Sequence, residues 1–155
     1  MSGIKDHVNV KGEIHYVLRD EHGDVKNEGF LINTVTELHD ALIADRLAGG
    51  SDALFTHMWV GTGTGQTAAS TDLATPIAGG RQAVTSSTQG AGASDNDVVV
   101  IATFAAGVGT GAIHEIGIFS SNASGDMKCY NDSINVTKAA GDSLTVTWTI
   151  TYGAS

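Results

Sequence analysis

Apolar and polar positions alternate from Val8 to Leu18 (VNVKGEIHYVL), stop over the acidic, glycine-containing DEHGD, and resume in VKNEGFLI up to Ile32. A two-residue period on both sides of turn chemistry predicts a β-hairpin. After Asn33-Thr34 the period changes. Val35, Leu38, Leu42, Ile43 and Leu47 fall at three- and four-residue spacing and Gly49-Gly50 closes the run, which predicts one α-helix over about 34–48. Thr34 or Asn33 can cap its start, with Glu37 placed to complete a capping box from Thr34. The stripe it carries is of the kind that covers one side of a sheet.

From Leu54 the helical period does not return. Short β-forming runs follow, separated by Gly, Asn and Asp: LFTHMWV (54–60), IAGGRQAVTSS (77–87), DVVVIATFA (97–105), AIHEIGIFSS (112–121), DMKCYNDSINV (126–136) and DSLTVTWTITY (142–152). Six strands at this spacing predict a mainly β fold, an antiparallel β-sandwich or barrel, with hairpin joins at 122–125 and 138–141. In the last strand Leu144, Val146, Trp148 and Ile150 face one way and Thr145, Thr147, Thr149 and Thr151 the other. Two stretches, 61–76 and 88–97, read as long mobile loops by composition. The organisation expected is an N-terminal hairpin or arm (1–33) and a body of helix plus sandwich (34–155), within one compact domain.

Composition changes this picture in a few places. At 155 residues and 41% hydrophobic, the chain can bury one core, roughly 70% of its unfolded surface. Met1–Gly12 holds no apolar run of signal-peptide type, and no stretch approaches the roughly 18 apolar residues of a membrane span. Synthesis and assembly in the cytoplasm, with no membrane partner, are therefore expected. The formal charge of −9 argues against direct nucleic-acid binding, which needs clustered Lys and Arg. Charge is also unevenly spread, with 15 charged side chains in residues 1–52 and 10 in residues 53–155. Small uncharged side chains suit close subunit packing because they cost little desolvation or rotamer entropy when buried; a plain Thr-rich β-domain has the same composition.

Candidate chemistry is sparse. Gly61-Thr62-Gly63-Thr64-Gly65 follows a strand as phosphate-binding turns do, but no lysine follows it and no helix opens on it, so a flexible structural loop is expected. Of the six histidines, His114 stands beside Glu115 without the second histidine of a metalloprotease helix, and the others lack ligand spacing. His15 and His22 flank the first hairpin turn and could approach one another, but a solvated hairpin surface is the account expected. Asp95-Asn96-Asp97 reads as a turn before a strand rather than a calcium loop. Cys129, the lone cysteine, has no internal disulfide partner and reads as a strand residue. No G-x-S-x-G elbow is present, and three glycosylation sequons (Asn122, Asn131, Asn135) carry no meaning without a secretory route. No catalytic, cofactor-binding or metal site is expected.

Four segments carry a resemblance: FLINTVTELHDALIADRLAGG, MWVGTGTGQTAASTDLATPIAGGR, ATFAAGVGTGAIHEIGIFSS and KAAGDSLTVTWTITYG, spanning most of residues 30–153. Their order resembles small virion proteins of tailed bacteriophages, described as head-decoration, minor tail or tail-fibre-like components. In those proteins a Gly-Thr-Gly strand end, a loop with Thr-Asp-Leu, an Arg after it and a Gly-Ala-Ile-x-Glu-Ile-Gly-Ile-Phe strand recur around a β-sandwich. The resemblance implies assembly rather than catalysis. A capsid decoration or cement protein is expected, bound to the major capsid protein or other virion proteins in a trimer or ring of its own copies; a minor tail or fibre-base protein is the alternative. Trp59, Arg81 and Phe119 are the candidate interface anchors, and residues 1–33 a candidate anchoring arm. A carbohydrate-binding sandwich, with Trp59, Trp148 and Tyr130 as candidate aromatics, and an enzyme rank lower.

Overall fold

The computed structural model describes residues 9–122 and 125–153. The fold is mainly β and antiparallel, an open sandwich rather than a closed barrel. Its elements are β1 (Asn9–Arg19), β2 (Val25–Ile32), β3 (Thr34–Val35), α1 (Glu37–Leu47), β4 (His57–Gly61), β5 (Pro76–Ala83), β6 (Ser86–Gln89), β7 (Asp97–Phe104), β8 (Gly111–Ile113), β9 (Glu115–Phe119), β10 (Met127–Asn131), β11 (Val136–Lys138) and β12 (Ser143–Gly153). One sheet runs β2-β1-β12-β7-β6, the other β3-β10-β9-β4-β5, and β8 with β11 forms a small third ladder.

Alternation in β1 and β12 decides how the first sheet sits. Ile14, Leu18, Leu144, Val146, Trp148 and Ile150 are buried together with Val100, Ala102 and Phe104 of β7. They meet Met58, Val60, Ile116, Ile118 and Cys129 of the second sheet in one core, as apolar inner faces of a sandwich must. The threonines of β12 take the opposite face and are half-buried.

Three runs that read as single strands are each two. Residues 77–87 divide between β5 in the second sheet and β6 in the first. Residues 112–121 break at His114, and 126–136 break after Asn131, whose side-chain oxygen accepts from the backbone of Ser133 and Ile134. A chain that changes sheet must leave its ladder, and alternation within one strand says nothing about that. The same holds at 138–141: β11 pairs with β8, not β12, so this join is a crossover and not a hairpin.

Residues 9–32 of the expected hairpin or arm form a hairpin on the flank of the first sheet. β1 pairs with β12 along all of its length, from Asn9 opposite Gly153 to Arg19 opposite Ser143. The first eight residues of the expected arm lie outside the described residues. His15 turns to Glu28 at 2.8 Å and stacks on Phe30, while His22 lies near Glu21, so His15 and His22 have separate partners.

The helix begins later than its apolar spacing predicts. Thr36 is the N-cap, accepting from the His39 amide, because Thr34 and Val35 pair with β10. The Thr36 hydroxyl also donates towards the Met127 and Lys128 carbonyls, fastening α1 to β10. Only His39 and Leu42 of α1 are buried, and Leu47 is 85% exposed; the expected stripe is covered at one end only.

His39 is stacked with Phe55 and Tyr152 and bonded to the Tyr152 hydroxyl at 2.8 Å. Burial pushes its pKa down, against the opposing pull of Asp40. The unfolded chain, with an ordinary value of about 6.5, therefore takes up this proton first as pH falls. The stability held above that value is lost progressively below it. His57 is lowered too, by burial and then by Arg81, and acts in the same sense. Denaturant midpoints should drop between pH 7.5 and 5.5, and drop less in His39→Gln; an equal drop in that variant would remove His39 as the cause.

Candidate functional site

The second sheet is buried on both faces, and what covers its outer face is the centre of interest. Every residue of β9 and β10 is buried. Ile116 and Ile118 face the main core, so Glu115, Gly117 and Phe119 face outward. The loop 61–76 folds over them. Leu73 packs with Phe119, Met127 and Tyr130, and Trp59 lies against this cluster.

Glu115 organises the loop. It is fully buried. One carboxylate oxygen accepts from the Gly63 amide at 3.0 Å and the Thr75 amide at 2.7 Å, the other from Ala74 at 2.8 Å and the Gln66 side chain at 2.6 Å. Asp132 adds a second anchor, accepting from the amides of Gly65 and Gln66. The glycine run thus does what phosphate-binding turns do, presenting N–H groups to an anion, but the anion belongs to the protein. Gly61 and Gly63 are required by close approach: a Cβ would lie 2.3 Å and 2.8 Å from the Glu115 oxygen. With four donors on two oxygens the carboxylate is saturated, which suits a structural tie and leaves nothing for proton transfer to a substrate.

Thr71, Asp72 and Arg81 gather beside it. Thr71 accepts from the Met127 amide, and Asp72 accepts from Gly125. Arg81 lies opposite Trp59 in the β4–β5 ladder. Its guanidinium sits 4.2 Å from the ring centres of both Trp59 and Phe119 and donates to the Ser121 carbonyl at 3.0 Å. Trp59 is fixed in turn by its indole N–H on the Ile77 carbonyl.

Trp59, Arg81 and Phe119 are therefore one cluster, the two rings meeting edge-on at 6.0 Å with the guanidinium against both. Phe119 is fully buried within its own chain, so it serves as the floor of that cluster. Trp59 and Arg81 are half-buried and present their outer sides. Of the three aromatics considered for carbohydrate, Trp148 is wholly in the core and Tyr130 nearly so.

Beside His114, Glu115 gives no metal signature, and its place in the Gly-Ala-Ile-x-Glu-Ile-Gly-Ile-Phe strand does not reveal that it ties the 61–76 loop. The signal was there: one carboxylate inside an otherwise apolar strand must find buried donors, and GTGTG is a surplus of N–H groups. Asp97 likewise accepts from Thr151 and Asn96 donates to the Tyr152 carbonyl, which ties 95–97 to β12 as a strand start. The 88–97 stretch is partly β6 and partly a short 3-10 turn at Gly92–Ser94. Cys129 lies in β10, where burial raises its thiol pKa strongly. Among the described residues no group of three His, Cys, Asp or Glu could hold a metal ion, and no helix is long and apolar enough to cross a membrane.

The outer face of the first sheet is the other surface of note. Phe30, His15, Thr147, Ile101 and Ser86 form one row across five strands, and Ile32, Glu13, Thr149, Val99 and Thr88 the next. Phe30 is 64% and Ile32 80% exposed. Comparison with known proteins adds no assignment: no family model matches the chain, and no curated protein or solved structure matches it.

Proposed function

We propose that this chain is a structural subunit of a tailed-phage virion, a decoration or cement protein that stabilises an assembled head through protein–protein contacts. The observation that carries the reading is the outer face of the first sheet. There Phe30 and Ile32 stand in water beside threonines, while Glu28 is occupied by His15. Large apolar groups so placed gain free energy when a partner covers them, and the threonines beside them cost little to desolvate, which leaves Glu13 as the carboxylate of these rows that a partner must pair. The lock between Glu115 and the 61–76 loop supports the same reading, since it spends the recurring sequence pattern on rigidity.

Counting copies of the chain in purified particles of the phage that encodes it tests this. Hundreds per particle support a head protein, a handful moves it to the tail or fibre base, and none defeats the virion reading. The double substitution Phe30→Lys with Ile32→Lys should lower incorporation by at least about tenfold, the scale of one or two interface anchors, while circular dichroism stays unchanged. Undiminished incorporation would move the contact surface elsewhere.

A further inference from the structure

A groove separates α1 from the free edge of the first sheet. It encloses about 340 Å³ and is lined by Leu42, Ile43, Phe55, Val98 and Tyr152, with Arg46 at its rim. This is the lower end of the size range of ligand sites. Leu54, 55% exposed, adds to its wall, and Leu47 is exposed one helical turn beyond Ile43. The part of the helical stripe that the fold leaves uncovered therefore lies beside this groove.

Its opposite wall is Ser87, Thr88 and Gln89 of β6, the last strand of its sheet. The Gly90 amide donates to the Asp97 carbonyl, continuing the register in which Gln89 faces Val98. Antiparallel strands direct backbone groups to one neighbour at every second residue. Ser86 and Thr88 thus turn theirs towards β7, and Ser87 and Gln89 turn theirs off the edge of the sheet. The Tyr152 amide bond to Asn96 agrees, because it commits the even residues of β7 to β12 and the odd ones to β6. Ser87 and Gln89 also share the face of Val100 and Val98, the side towards the groove.

An unpaired strand edge facing an apolar helix across a groove is the geometry of strand addition, in which main-chain bonds hold a peptide and a pocket selects alternate side chains. We propose that this groove takes an extended segment of a partner protein as a sixth strand of the first sheet, placing an aliphatic side chain between β6 and α1 and a nearby carboxylate against Arg46. Charge complementarity selects a carboxylate on the partner: among the described residues Arg46 is the one charged side chain of the lining, and its guanidinium, which donates to the Gly50 carbonyl at 3.2 Å, keeps further N–H groups for an acceptor. The groove meets the outer sheet face only at Thr88 and lies away from Phe30 and Ile32, so the inference goes beyond the virion reading and either can fail alone.

The test titrates isotope-labelled full-length chain with the N-acetylated, C-terminally amidated hexapeptide Thr-Val-Thr-Val-Thr-Asp to millimolar concentration and follows backbone amides by NMR. Shifts centred on Ser87 and Gln89 and on Ile43 are expected, with at least about tenfold weaker binding for the Asn-terminated peptide and for Arg46→Glu. Ser87→Pro should abolish binding yet fold, because β7 does not use the Ser87 amide. Ile43→Lys blocks the groove from the helix side should the proline variant misfold. No shifts at millimolar peptide, shifts elsewhere, or unchanged binding in the folded blocking variants would overturn the proposal. So would peptide-free self-association through these amides that Ser87→Pro abolishes, since the occupant would then be a second copy.

Discussion

Glu115→Ala should be the most disruptive polar substitution in the molecule, lowering stability by about 3 kcal/mol and the melting temperature by about 10 °C. Three backbone amides and the Gln66 side chain lose their acceptor together, and each buried donor left without a partner carries its own desolvation cost. The loss should also be local. Limited proteolysis should cut within 61–76 in the variant and not in the parent. Glu115→Gln should not rescue it, because an amide turns an NH2 group towards donors where the carboxylate offered oxygen. A variant that melts within 2–3 °C of the parent, roughly 1 kcal/mol at this chain length, would mean that the loop is held by Asp132 and Leu73 instead.

Trp148 gives the second large effect, with a contrast built in. It is fully buried, between Ile14 of β1 and Val100 of β7 in the sheet register. Trp148→Ala should cost about 4 kcal/mol, the range for emptying a large aromatic site in a core. Among the described residues no atom accepts from its indole N–H, so a smaller aromatic removes a buried polar group at the same time as volume. Trp148→Phe should therefore lose less than half as much in denaturant titration. Equal losses for the two substitutions would show that the indole N–H is satisfied in solution.

The two substitutions probe different parts of what could be read from the residues. The alternation of Leu144, Val146, Trp148 and Ile150 against four threonines determined β12, its buried face and the sandwich class, because a pleated strand with one apolar side has only one stable way to face. The helix was legible from spacing, but its start was not: Thr34 and Val35 are taken by β10, a competitor that local capping rules cannot see. Where β5 passes to β6, or β10 to β11, the choice of sheet is made by partners distant in the chain.

The site divides along the same line. The residue types of the Gly-Thr-Gly run, Thr71-Asp72-Leu73, Arg81 and the Glu115 strand were all visible in the sequence, and so were Trp59 and Phe119. That they form one lock, with Arg81 against two rings that meet edge-on and Glu115 beneath a loop whose composition reads as mobile, was decided only by tertiary structure. Hydrogen bonds and ring contacts act over a few ångströms, between residues up to 67 positions apart along the chain. The sequence by itself determined a β-rich chain with one helix and an apolar face on each main strand. Folding decided which apolar groups stay in water, Phe30, Ile32 and Leu47 among them, because exposure depends on what the rest of the chain can reach.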